Sequence, residues 1–173
     1  MRQHAKGCLH GLLKLFAVLV ILVVIWNLVF RWIFVDGVSM QPTLENGDWI
    51  VVCRLDRPER GDVIVTNTNN RANARLIKRL IAVGGDTVDV DYETGTVYVN
   101  GQAVEESYLP DKTIRGGDVQ FPLTVPDGCV FLLGDNRTES MDSRYGEIGC
   151  IPQSDLLGTV WARTLPLPIH VIR

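Results

Sequence analysis

The stretch TVDVDYETGTVYVNGQAV, Thr87 to Val104, decides the fold class. Valines alternate with polar residues from Thr87 to Tyr92, the chain turns at Glu93-Thr94-Gly95, and alternation resumes from Thr96 to Val99. A period of two puts the valines on one face and the acids and threonines on the other, the pattern of a half-buried strand. Asn100-Gly101 supplies the positive backbone angles of a two-residue hairpin before Gln102-Ala103-Val104.

Outward from this unit the same signals recur at short spacing. Trp49–Cys53 and Asp62–Val65 read as buried strands, each introduced by a Gly-Asp turn at Gly47-Asp48 or Gly61-Asp62. The segment from Ala74 to Val83 is strand-like and closes on Gly84-Gly85-Asp86. A looser stretch runs from Glu105 to Pro126, followed by a core strand at Cys129–Leu133 and a last strand at Leu156–Arg163. No long amphipathic helix, internal repeat or low-complexity tract interrupts the series. The expected fold is mainly β: a compact antiparallel sheet, barrel-like, carrying the chemistry.

The N-terminal part is different in kind. Leu15 to Val35 reads LFAVLVILVVIWNLVFRWIFV, with Arg31 its only charge and Asn27 its only neutral polar group. As a helix those residues reach roughly 30 Å, the thickness of a bilayer core. Arg31 lies near the outer end, where it can snorkel, and Trp26 and Trp32 mark an interfacial belt. A cleaved export signal is the competing reading. The apolar run is longer than the ~7–15 residues of such a signal, so a retained anchor is expected. The resulting division is 1–11 as a cytosolic N-terminus, 12–35 as a transmembrane helix and 36–173 as an extracytoplasmic catalytic β domain.

Charge supports that topology. Residues 1–35 carry Arg2, Lys6, Lys14 and Arg31 with no acid, whereas the remainder holds 13 basic and 20 acidic residues. A basic tip stays inside, and an acidic exported part excludes a nucleic-acid partner, which demands a basic face. Of the four cysteines, Cys8 falls at the cytosolic boundary, leaving Cys53, Cys129 and Cys150 outside. An odd number with no CxxC or Cys/His grouping argues against a metal site, and free buried thiols are expected over a bridge.

The histidines are His4, His10 and His170, two before the span and one near the end, so a Ser-His-Asp triad is poorly supported. A serine–lysine dyad remains. Ser39 follows Gly37, which admits close backbone approach, and precedes Pro42, which stiffens the far side of the bend. Lys78 sits in an apolar run with Leu76, Ile77, Leu80 and Ile81. There desolvation would lower its pKa and free its amine to take a proton. Its neighbour Arg79, on the opposite face of a strand, is expected to be solvated or paired. The run Gly134-Asp135-Asn136-Arg137-Thr138-Glu139-Ser140-Met141-Asp142-Ser143-Arg144 is dense in groups that bond their own backbone. Asp142 and Arg144 are candidates for a charge pair, and Ser140 for orienting the lysine amine. Asp135, Glu139 and Asp142 also admit a calcium loop, although the alternating oxygen spacing of an EF-hand is absent.

Three ordered motifs resemble those of type I signal peptidases, the membrane-bound serine–lysine leader peptidases. They are Ser39-Met40-Gln41-Pro42-Thr43-Leu44 with Gly47-Asp48; Arg60-Gly61-Asp62-Val63-Ile64-Val65 with Lys78-Arg79-Leu80-Ile81 through Gly84-Gly85-Asp86; and Gly134 to Arg144 with Gly146. The resemblance covers residues 12–163. It implies Ser39 as nucleophile, Lys78 as general base and Ser140 as its hydrogen-bond partner. Asp135, Asn136, Arg137, Asp142 and Arg144 would scaffold the loop. Val35, Asp36, Gly37, Met40, Leu44, Leu76 and Ile77 would line a groove for an extended substrate with small residues at the first and third positions before the cut.

No cofactor and no metal is implied. The implied partners are secretory preproteins, the lipid bilayer and the secretion translocon, with the N-terminus cytosolic and the domain outside the plasma membrane. Gly37 stands where some members carry a serine that completes the oxyanion hole. The short domain and single span resemble the compact Gram-positive type. A soluble repressor-type protease shares the dyad but lacks a span. An inactive membrane-anchored binding domain is the alternative from another class, and turnover of a preprotein separates it.

Overall fold

In a computed structural model, residues 2–67 and 74–172 are described, with side chains in the first helix described from Gly11 onward. That helix, α1, runs Arg2–Val29. Its segment Gly11–Val29 has a mean hydropathy of 2.7 and none of it is buried against protein, so length and composition both suit a bilayer. Cys8 lies outside the described side chains.

The helix ends earlier than expected. Phe30–Phe34 forms strand β1, which pairs antiparallel with β2 (Trp49–Cys53) from Phe30↔Cys53 to Phe34↔Trp49. The reason is physical: Phe-Arg-Trp-Ile-Phe is apolar enough for either environment, and hydropathy alone cannot separate a membrane turn from a half-buried strand. Ile33 settles it by entering the core, while Trp32 and Phe34 stay half exposed. The helix therefore passes into the larger sheet with no linker.

The remaining strands follow the alternating signals. β3 is Val63–Thr66 and β4 is Ile77–Val83. The opening stretch becomes β5 (Thr87–Asp91), β6 (Thr96–Val99) and β7 (Gln102–Ala103), with Asn100 at φ 54° in the hairpin turn. Then come β8 (Leu123–Thr124), β9 (Cys129–Leu133), β10 (Ile151–Pro152), β11 (Leu156–Leu165) and β12 (His170–Val171). Leu156–Arg163 is thus not the last strand: β11 runs two residues further, and β12 returns to pair with it through Ala162↔Val171.

Two antiparallel sheets result. The larger has the order β1-β2-β11-β3-β4-β9-β10 with β12 beside β11, and the smaller is β7-β6-β5-β8. Val88, Val90, Val97 and Val99 of the smaller sheet close over Ile81, Phe131 and Leu133 of the larger. Strand β4 is covered on both faces: its interior is buried from Lys78 to Ala82, so Lys78 and Arg79 leave the backbone in opposite directions inside protein. Cys53, Cys129 and Cys150 are not disulfide-bonded.

Candidate active site

Lys78 and Ser39 meet although 39 positions separate them. The Lys78 Nζ donates to Ser39 Oγ at 2.7 Å. Lys78 is only 4 % exposed. Burial pushes its pKa down from 10.5 to about 8, against the charges of Asp142 and Asp135, which hold it up, and with that of Arg144, which lowers it.

The bend bearing Ser39 is fastened from the Gly134 loop. The Asn136 N–H donates to the Ser39 carbonyl at 3.0 Å, and the Asn136 Nδ2 donates to the Val38 carbonyl at 3.2 Å. Gly134 makes the approach feasible: a Cβ there would lie 2.5 Å from the Ser39 carbonyl oxygen and 2.2 Å from Ser140 Oγ. Gly37 has φ +114°, and its N–H donates to Asn46 Oδ1 at 2.8 Å. A side chain at that φ is strained, so the backbone here suits glycine.

Behind the dyad, two arginine–carboxylate pairs fill the interior. Arg79 clasps Asp135 through Nε at 2.8 Å and Nη2 at 2.5 Å, and donates to the Gly61 carbonyl at 2.6 Å. Thr43, four residues beyond Ser39, donates to the same Asp135 carboxylate at 2.5 Å. Arg79 is thus paired and 7 % exposed rather than solvated. Burial works against its charge, and Asp135 more than offsets that. Asp142 holds Arg144 through both oxygens and accepts from the Gly134 N–H at 3.0 Å. The Asp135 and Asp142 carboxylates are therefore answered by arginine, and Glu139 points to solvent, so the calcium reading has no converging donor set among the described residues.

Ser140 is 2 % exposed, and its Oγ has no hydrogen-bond partner. The expected bond to the lysine amine is not formed, although the hydroxyl lies in the same pocket as the Ser39 carbonyl. Arg137 is buried, donating to the Gly134 carbonyl, Thr113 and Glu106.

A groove of about 350 Å³ opens beside the dyad. Val35, Asp36, Gly37, Met40, Leu76 and Ile77 line it as expected, together with Ile33, Phe34 and Arg75. Leu44 does not: it is wholly buried in the core with Ile50 and Val52. Ile33 and Phe34 escaped the sequence reading because they were assigned to the membrane helix. Glu106, Tyr108 and Thr113 escaped it because they lie in a stretch with no periodicity; an aromatic among polar loop residues was the one available signal.

A family profile described as "Signal peptidase, peptidase S26" matches residues 9–165. The chain is 37 % identical over 146 residues to a protein named probable signal peptidase I-2 of Synechocystis, covering 78 % of this chain and 63 % of that relative. It is 34 % identical over 168 residues to a signal peptidase I of Bacillus licheniformis, covering 90 % and 88 %. A crystal structure of a signal peptidase I from Enterococcus faecalis V583 is 32 % identical, covers 60 % of this chain and 97 % of that one, and superposes with a TM-score of 0.49.

Proposed function

The chain belongs to the peptidase S26 family of signal peptidases, and from that membership we propose that it is a membrane-bound serine endopeptidase removing N-terminal signal peptides from exported preproteins. The observation that carries the reading is the 2.7 Å contact between the Ser39 hydroxyl and a lysine driven to a pKa of about 8. At pH 7 roughly a tenth of such an amine is neutral, against less than a thousandth for a free lysine.

In the proposed reaction the neutral Lys78 amine takes the Ser39 proton as Oγ attacks the scissile carbonyl carbon. The Ser39 backbone N–H faces the developing oxyanion, and with Gly37 alongside no side-chain hydroxyl assists from that position. Lys78 then protonates the leaving amine, and a water activated by the same amine releases the acyl group. Asp142 and Asp135 moderate the lysine by holding its pKa up against burial, and Arg144 opposes them more weakly.

The substrate lies extended in the groove between Phe34–Gly37 and Arg75–Ile77. Residues 75 and 76 precede β4, and β1 has one free edge, so main-chain pairing is available on both sides. Small residues before the cut would sit against Met40 and Ile77, which line the groove. Gly11–Val29 crosses the plasma membrane with the N-terminus cytosolic, bringing the domain to the outer surface, where preproteins leave the translocon.

The test is incubation of detergent-solubilised full-length protein with a labelled preprotein. We expect one cut after an Ala-x-Ala segment by the wild type and none by Ser39→Ala. Equal cutting by both, or by neither, overturns the reading.

A further inference from the structure

Tyr108 lies over Arg79, its ring centroid 3.8 Å from the guanidinium carbon. Its hydroxyl donates to Glu106 Oε1 at 3.4 Å, and the same oxygen accepts from Arg137 Nη2 at 2.5 Å. The following loop is tied down as well: Thr113 bonds Arg137, Arg115 donates to the Thr138 carbonyl, and Arg144 donates to the Arg115 carbonyl. The segment 106–115 thus grips all three arginines of the catalytic loop and its neighbour strand. It touches neither Ser39 nor the groove.

From this geometry we infer that Tyr108, seated by Glu106, is a positioning residue that keeps Arg79 flat against Asp135 and so fixes the dyad. The chain of contact is short. Asp135 holds Thr43 on the Ser39 bend and Arg79 on the strand that carries Lys78, so both halves of the dyad are referenced to one carboxylate. The Arg79 donors are spent in the guanidinium plane on Asp135, Gly61 and Thr43, and the Tyr108 ring covers one of its faces. Without the ring, water reaches the Arg79–Asp135 pair from the side of Leu80, Gly61 and Val104, where a cavity of about 280 Å³ already opens.

The charges involved can be named. Lys78 faces Asp142, Asp135 and Arg144; Arg79 faces Asp135, Tyr108 and Asp62; Tyr108 faces Glu106, Arg137, Arg79 and Asp135. Tyr108 itself is pushed up to about 12, chiefly by burial and then by Glu106, so it stays neutral across the working range. Arg79 loosened from Asp135 leaves that carboxylate less answered, and because the Asp135 charge holds Lys78 up, the lysine pKa rises. The acid limb of the rate profile then moves to higher pH.

This inference rests on the peptidase reading, and the experiment separates the two. Full-length wild type, Tyr108→Phe, Tyr108→Leu and Glu106→Gln are assayed for kcat and KM against pH on a labelled preprotein, with melting followed in parallel. Tyr108→Leu should lose on the order of tenfold in kcat at neutral pH, its acid limb displaced upward by about half to one unit with KM little changed. Tyr108→Phe keeps the ring face but loses the hydroxyl contact to Glu106, and should shift far less than Tyr108→Leu. Glu106→Gln should shift in the same direction by less. If Tyr108→Leu keeps the wild-type profile, or loses activity only in step with its folded fraction, the inference fails. Should Tyr108→Leu not fold, an unshifted profile in Glu106→Gln overturns it. Absence of turnover in the wild type would instead strike the peptidase reading.

Discussion

Arg144 and Asp142, two positions apart in sequence, close on each other through two side-chain hydrogen bonds, Nε to Oδ1 at 2.8 Å and Nη2 to Oδ2 at 2.9 Å. Both side chains are wholly buried. Asp142 exerts the largest charge influence on Lys78, so its pairing decides how much of the burial effect survives. Removing one partner of such a pair leaves a buried charge uncompensated. Asp142→Asn should therefore cost about 3–5 kcal/mol of stability, read by denaturant unfolding in detergent. A cost within about 1 kcal/mol would show that the pair contributes no more than an exposed one.

Ser39→Ala and Lys78→Met should each abolish cleavage while the circular dichroism spectrum stays native. Because members of a catalytic unit act together, the double variant should be no slower than either single one. Additive losses would mean that the two side chains serve separate steps.

The pH dependence has a definite sign. As the proposed base Lys78 would act as the neutral amine, and burial lowers its pKa to about 8. Below that value the rate should fall about tenfold per pH unit, and above it the rate should level off. A rate that is flat between pH 6 and 9 would remove Lys78 as the base.

Ser140 has a buried hydroxyl with no partner, an arrangement that costs stability in the resting protein. Ser140→Ala should consequently melt no earlier than the wild type. If the hydroxyl orients the Lys78 amine once substrate displaces it from Ser39, kcat should still fall by part of the ~10²–10⁴-fold that general-base catalysis supplies. Ser140→Thr should keep some of that rate. An unchanged kcat in Ser140→Ala would leave Ser140 a packing residue.

Topology is open to a direct measurement. A membrane-impermeant thiol probe, directed to a single cysteine introduced near His170 in a chain otherwise free of cysteine, should label intact cells. Protection until lysis would reverse the orientation and exclude exported preproteins as substrates.

Much of this fold was legible because alternation is a local signal. Thr87–Val104 became β5, β6 and β7 at nearly the expected bounds, and Trp49–Cys53 and Cys129–Leu133 became strands as read. Phe30–Phe34 was not legible, since a strand that continues an apolar helix has the same composition as the helix. The β12 return was missed because two residues are too few for a period, and His170 and Val171 pair only across the Pro166–Pro168 corner. The meeting of Ser39 with Lys78 was anticipated from residue inventory and family likeness. What could not be anticipated was the grip of Glu106, Tyr108 and Thr113, because contacts between a non-periodic loop and buried arginines leave no trace in spacing. Leu44 was misplaced for a related reason: a turn residue two positions beyond Pro42 points inward or outward according to the bend, which sequence does not state.

The passage from Val29 directly into Phe30, helix to strand without a spacer, makes the enzyme a depth gauge. Five strand residues span about 17 Å, and Ser39 lies five positions past their end on a bend that doubles back into the core. With Gly11–Val29 in the bilayer as proposed, Ser39 would be held within a limited height of the point where the helix leaves the lipid. On that reading a peptide bond still inside the bilayer would be beyond its reach, and one carried far into the aqueous phase would be too. Only bonds that surface beside the membrane would then pass through the zone it sweeps, and the position of a cut along a substrate would be set partly by how far that substrate's own apolar segment sinks, before any side chain is read.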